Sequence, residues 1–353
     1  MHHRGLARSD LKRHNWRMPR SLLPFGFALV FFSTIPKAHS QEGELPVLRR
    51  CFVEGAAPVD PFPRGEGGPK FVPRLGETVA WIGGTEIADL DRYGFLEAGF
   101  HLAWSDQGLR WRNLAWQGDT VSYQARPLHY YTKKGDPQPG SIPDHRERTE
   151  PGIVFVCFGK MESLAGKERL EEFVRAYAKL LDDLTVLTRR IVLVAPTPYF
   201  PCGPAAALAD QRNEVLLAYS ERIEQLAKER GFLYLRPLPI EWTAGHSDNG
   251  VHLNEVGHRV FAAALLRQLG APERAEPPSV ALHDAIARKN LLWQQYYRPT
   301  NWAFLFGDRQ HVPASRDVEN RSERWFVREI DILPALIAES EGEICRYAKE
   351  AAK

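Results

Sequence analysis

Apolar residues in this chain gather in short unbroken runs, and between the runs they recur every three to four positions. "TVAWIG" (78–83), "LRWRNLAW" (109–116), "GIVFVCFG" (152–159), "RRIVLVAPTP" (189–198) and "FLYLRPL" (232–238) are strand-length blocks. "GIVFVCFG" is apolar nearly throughout, as a parallel strand covered on both faces requires. The stretches between them follow the helical period. Leu170, Phe173, Val174, Tyr177, Leu180, Leu181 and Leu184 fall on one stripe, and Leu216, Tyr219, Ile223 and Leu226 mark another that Gly231 closes. "IADLDRYGFLEAGFHLAW" (87–104) reads as one helical stretch after the first strand. "NEVGHRVFAAALLRQLG" (254–270) reads as the last core helix, with Asn254 as N-cap and Gly270 as its stop. Five strand blocks and four helical stretches thus succeed one another along the chain. This rhythm predicts an α/β fold, a three-layer α/β/α sandwich around a mostly parallel five-stranded sheet. Ligand sites in such sheets lie at the carboxyl ends of the strands.

Segments outside the rhythm set the domain boundaries. Residues 1–40 join a basic lead to the apolar "SLLPFGFALVFFSTI" and then to "AHS" before Gln41. This is the pattern of a secretory signal, and the apolar run is too short and interrupted for a comfortable membrane span. The protein is therefore expected to be exported, to the periplasm or beyond the cell. Residues 41–75, rich in Pro and Gly, read as an irregular lead-in, 76–270 as the α/β domain, and 271–353 as a C-terminal helical extension. The long polar stretch around "HYYTKKGDPQPGS" reads as a surface excursion beside the carboxyl edge.

Charge changes the picture once the leader is set aside. Of 46 Lys and Arg and 44 Asp and Glu in the 353 residues, the first forty hold seven bases and one acid, so the remainder is mildly acidic. Nothing in that balance suits a nucleic-acid partner. Cys51, Cys157, Cys202 and Cys345 lack metal-ligand spacing, and Cys157, inside an apolar strand, reads as a buried free thiol. Phosphate-loop, dinucleotide-binding and HExxH patterns are absent from the sequence.

Four short blocks sit where chemistry is expected. Gly83-Gly84-Thr85 ends the first strand, Asn113 and Gly118 follow the second, and Gly159-Lys160-Met161-Glu162 follows the third. "SDNGVHLNEVGH" precedes the last helix. In this order and spacing they resemble the blocks of the SGNH/GDSL hydrolases over roughly residues 76–270. "SDNGVH" and the later "YYRPTN" are similar to divergent family members of planctomycete-like bacteria. The resemblance implies a flavodoxin-like fold and cleavage of a small-molecule or carbohydrate ester, such as an O-acyl group, with no metal or organic cofactor. By the same resemblance Thr85 attacks, His252 is the base and Asp248, with Asn249 one residue closer, orients the imidazole. The Thr85 and Gly118 amides receive the oxyanion, and Glu162, Asn249 and Asn113 support the site.

The sequence departs from the family at two positions. Threonine replaces the usual serine, and its hydroxyl fits either a nucleophile or the cap of the following helix. Met161 stands where the family has an asparagine that donates to the oxyanion. A protein that kept the cleft for binding and lost efficient catalysis is therefore the second reading. Lys160, beside Met161, is a candidate substitute cation. The aromatics Trp293, Tyr296, Tyr297 and Trp302, near Arg298 and Asn301, fit either core packing or contact with a sugar ring.

Overall fold

A computed structural model of the chain describes residues 52–53, 58–124, 149–150, 152–237, 241–273, 277–305 and 309–353. All of these belong to the compact unit Leu45–Lys353. The predicted leader, Cys51 and most of the polar excursion lie outside the described residues.

Five strands form the sheet: β1 (Thr78–Gly83), β2 (Arg110–Asn113), β3 (Ile153–Cys157), β4 (Ile191–Val194) and β5 (Leu233–Leu235). Their order is β2-β1-β3-β4-β5 and every pairing is parallel. This is the predicted α/β/α architecture. Because side chains alternate across a strand, the two faces divide cleanly. Ala80, Ile82, Val154, Val156, Ile191 and Leu193 face one layer, while Val79, Trp81, Ile153, Phe155, Val192 and Val194 face the other.

After β1 the chain does not run as one helix. It breaks into α1 (Thr85–Ala88), α2 (Leu90–Tyr93) and α3 (Phe95–Ala103). The break between α2 and α3 falls at Gly94, whose φ of 65° is left-handed, a conformation glycine adopts without a Cβ penalty. The first layer is built by α4 (Leu170–Thr185) and α5 (Ala209–Arg230), whose predicted stripes are the buried ones. Gly231 ends α5 in the left-handed conformation, as expected. The opposite layer is α3 with α6 (Glu255–Gln268), where the Asn254 side chain accepts from the Gly257 amide as the predicted N-cap. The second strand stops earlier than its apolar run. Asn113 Nδ2 donates to the Ile87 carbonyl and its Oδ1 accepts from the Ala115 amide, drawing the chain off the sheet.

The extension contains α7 (Val280–Tyr297), α8 (Trp302–Leu305) and α9 (Trp325–Ala351). α7 and α9 pack along each other at the free side of β2. Trp293 Nε1 donates to the Asn113 carbonyl at 2.9 Å, the Tyr297 hydroxyl donates to that of Leu114 at 3.2 Å, and Arg112 pairs with Glu341. Trp293, Tyr296 and Tyr297 are thus core residues, and of their two readings the packing one holds. Beneath α7, Lys289 reaches Glu97 at 2.7 Å with both side chains almost wholly buried. Burial pushes the Glu97 carboxyl up, but Lys289 and His101 outweigh it and hold it below the ordinary range.

His258 lies buried on α6 against the Tyr93 ring. Burial, with Arg92 adding to it, pushes its pKa from 6.5 down to about 4. The imidazole is neutral in the fold, so between those values the unfolded chain binds the extra proton. The resulting stability is complete above pH 6.5 and falls away as pH drops toward 4, by about 3 kcal/mol at full extent. Urea unfolding of His258→Gln should show a flatter stability–pH profile over that window than the parent protein. An unchanged slope would contradict the assignment.

Candidate active site

Every sequence-predicted block emerges at the carboxyl edge of the sheet. Gly83 pairs with Cys157 across β1 and β3, so the Thr85 turn and the 159–162 loop leave the sheet side by side. Thr85, Glu162 and His252 line one cleft, together with Gly84, Glu86, Asp119, Gly159, Lys160 and Met161.

The turn needs both of its glycines for space. A Cβ on Gly83 would lie 2.6 Å from the Cys157 carbonyl oxygen, and one on Gly84 would lie 2.8 Å from that of Asp119. Gly84 has φ −83°, open to any residue, so room and not backbone strain excludes a side chain. Urea denaturation of Gly84→Ala should therefore register a loss of about 1–3 kcal/mol, the usual cost of overpacking.

The N-cap of α1 is Gly84, and no side chain caps this helix. The Thr85 hydroxyl is not spent on capping. It accepts from the Gly118 amide at 3.4 Å, which brings the predicted nucleophile and the predicted oxyanion donor together. Gly118, at φ 85°, has no atom near its missing Cβ, leaving the approach to that amide open. Asn113, fully buried, anchors the turn from below through Ile87.

Glu162 holds the loops. Its two oxygens accept from the Val121 and Gly159 amides at 2.7 and 2.9 Å. Burial raises its carboxyl pKa, and these two amides counter part of the rise. Met161 is exposed at the lip of the cleft, its side chain offering no donor. Cys157 on the floor is a free thiol whose pKa burial, with Glu86 adding to it, pushes well up. It stays protonated and is a poor nucleophile. Cys202 and Cys345 are free as well.

The loop carrying His252 is a tight knot. Asn249 Oδ1 accepts from the Val251 and His252 amides at 2.9 and 2.8 Å, the Ser247 hydroxyl donates to the His252 carbonyl, and Gly250 has φ 82°. A Cβ on Gly250 would lie 2.3 Å from the Cys202 carbonyl oxygen. Asn249 therefore fixes the backbone of His252. Asp248 is exposed and accepts from Asn254 Nδ2 at 3.1 Å. Among the described residues the His252 ring hydrogen-bonds neither Asp248 nor the Thr85 hydroxyl, although Thr85 and His252 share the cleft.

One constellation was not read from the sequence. Lys160 is 8% exposed, and its ammonium donates to Thr197 Oγ1, the Pro198 carbonyl and the Val251 carbonyl at 3.0, 3.1 and 2.5 Å. Glu86, next to Thr85, lies 4.0 Å from the same ammonium and accepts from both the amide and the hydroxyl of Thr197. Burial pulls Lys160 below the ordinary lysine range while Glu86 pulls the other way. Lys160 is thus no mobile stand-in for the missing oxyanion donor. It is tied to the segments after β4 and before α6, one residue from His252. Among the described residues no cluster of three or more His, Cys, Asp or Glu could hold a metal ion, and no helix is long and apolar enough to cross a membrane.

Residues 87–260 match the profile of the GDSL-like Lipase/Acylhydrolase family, a span that begins two residues after Thr85 and includes His252. No curated protein matches the chain. Among solved structures the chain is similar to an acetylxylan esterase from Geobacillus stearothermophilus, at 18% identity and a TM-score of 0.41, covering 57% of this chain and 99% of that one. It is also similar to an α/β hydrolase from the metagenome of Lake Arreo, Spain, at 16% identity and a TM-score of 0.42, covering 57% and 98%. A gut microbial diltiazem-metabolizing enzyme aligns at 17% identity and a TM-score of 0.42, covering 57% of this chain and 49% of that one.

Proposed function

We propose that this chain, whose residues 87–260 carry the GDSL-like acylhydrolase match, is an exported ester hydrolase that removes an O-acyl group by way of Thr85. The observation that carries this is the contact between the Thr85 hydroxyl and the Gly118 amide, in a cleft that His252 also lines. His252 takes the hydroxyl proton as Thr85 Oγ1 adds to the acyl carbon. The oxyanion is received by the Gly118 amide and by that of Thr85, which stands at the start of α1 without an intrahelical acceptor. His252 then returns the proton to the departing alcohol, and water repeats the sequence to free the acid. Unliganded catalytic hydrogen bonds are often long and tighten when substrate binds, which accommodates the open Thr85–His252 arrangement. Asp248 orients the imidazole only if it exchanges Asn254 for the ring.

A fluorophosphonate probe tests this directly. Mass spectrometry should find the adduct on Thr85, and His252→Ala should abolish it. Wild-type protein that neither takes the probe nor cleaves any of a panel of acyl esters overturns the hydrolase reading. In that case the second reading gains: a cleft kept for binding, favoured by the absence of a donor on the Met161 side chain.

A further inference from the structure

Beside the turn lies a second, larger recess that the reaction above does not use. It holds about 620 Å³, within the range of small-ligand sites. One wall is the start of α2, the other is α7, and the 116–117 segment closes the end. Gln117 is in that lining, and its chain neighbour Gly118 touches the Thr85 hydroxyl. The recess wall is therefore adjacent along the chain to the proposed reaction centre. The wall made by α7 and the two residues after it, from Ala287 to Pro299, lies wholly outside the segment that matches the family, so it belongs to this chain's extension.

We infer that this recess is the subsite for the alcohol portion of the substrate, and that this portion is a neutral saccharide; the inference rests on the ester-hydrolase reading. The charges along it balance, with Asp89 and Asp91 against Arg92 and Arg298, so neither an anion nor a cation is favoured. The remaining polar lining is planar and bifunctional. Gln117 and Gln294, both exposed, each offer a donor pair and an acceptor, the pattern that reads adjacent hydroxyls, while the Asn290 amide is committed to Lys289 and the Asp91 carbonyl. The half-buried Trp116 adds an aromatic surface suited to the C–H face of a pyranose.

The floor is preorganised. Asn290 is 4% exposed and its Oδ1 is held by Lys289 at 2.5 Å. Arg298 stands 3.8 Å from Asp91, whose Oδ2 is buried without a hydrogen bond, while Oδ1 accepts from Trp111 Nε1 at 3.4 Å.

The experiment compares 4-nitrophenyl acetate with partially O-acetylated oligosaccharides of glucose and xylose, using wild type, Gln294→Ala and Ala287→Trp. Gln294 and Ala287 are exposed, line the recess and stand apart from Thr85, Gly118 and His252 of the proposed reaction centre. The expected result is a rise in KM for the acetylated saccharides, about ten-fold or more for Ala287→Trp, with aryl acetate turnover unchanged. Saccharide KM values that stay at the wild-type level in both variants overturn the subsite. Where wild type cleaves no saccharide ester, calorimetry with the unacylated oligosaccharides decides. Binding lost in Ala287→Trp keeps the subsite even if the hydrolase reading has fallen, and absence of binding to wild type removes it.

Discussion

Thr85→Ala and His252→Ala should each reduce ester hydrolysis on the order of a thousand-fold or more, and the double variant should be scarcely worse than either. The non-additivity is the informative part, because a hydroxyl and its base act as one unit. In the folded protein the Thr85 hydroxyl caps no helix and accepts from the Gly118 amide. Losing it should leave the melting temperature close to wild type while removing the reaction. Thr85→Ser should keep the activity or raise it. The methyl group that serine lacks restricts χ1 and crowds a tetrahedral carbon. Initial rates with 4-nitrophenyl acetate, alongside thermal melts of the same samples, provide the measurement. Thr85→Ala turning over at the wild-type rate would remove threonine from the mechanism.

Lys160→Met should be costly in a different way, by about 3–5 kcal/mol of folding stability, because removing one partner leaves a buried carboxylate uncompensated. The carboxylate is Glu86, and its side chain and that of Lys160 are both close to nine-tenths buried. The same change deprives the Pro198 and Val251 carbonyls of their shared donor. Since Val251 precedes His252, kcat should fall even at temperatures where the variant remains folded. The double variant Glu86→Gln/Lys160→Met removes both charges and should regain much of the stability without regaining the rate. Guanidinium unfolding and kcat measured on both variants separate these effects. If the double variant is as unstable as the single one, the ion pair is not the reason Lys160 is buried.

The fold was readable because its signal is local. The strands β1, β3, β4 and β5 are apolar runs, β2 alternates half-buried Arg110 and Arg112 with buried Trp111 and Asn113, and the helices are stripes, patterns that follow from which faces must be covered. The errors share a cause in tertiary contact. The helix read through 87–104 breaks in part because Gly94 turns left-handed, and the strand read through Trp116 ends early because the Asn113 side chain bonds across to Ile87. The site was legible to the extent that its residues lie next to glycine turns: Thr85, Gly118, Glu162 and His252 all come to the carboxyl edge. Lys160 was not. Its burial depends on Thr197, Pro198 and Val251, which lie 37 to 91 residues away in sequence. No local pattern announces that a lysine will find three oxygen acceptors at such separations. The polar carboxylate beside Thr85 is equally silent until Thr197 is seen against it.

The way α7 seals β2 has a practical corollary for anyone expressing the protein. A fragment trimmed to the end of the family-matching segment, residue 260, would shed Trp293 and Tyr297 and with them the donors now bound to the Asn113 and Leu114 carbonyls. It would present a bare strand margin flanked by newly wetted aromatic and aliphatic surface, the combination that seeds strand-to-strand association between molecules. Such a fragment should collect in inclusion bodies whatever the soundness of its chemistry. A failed assay on it would then report on solubility and leave the activity unexamined.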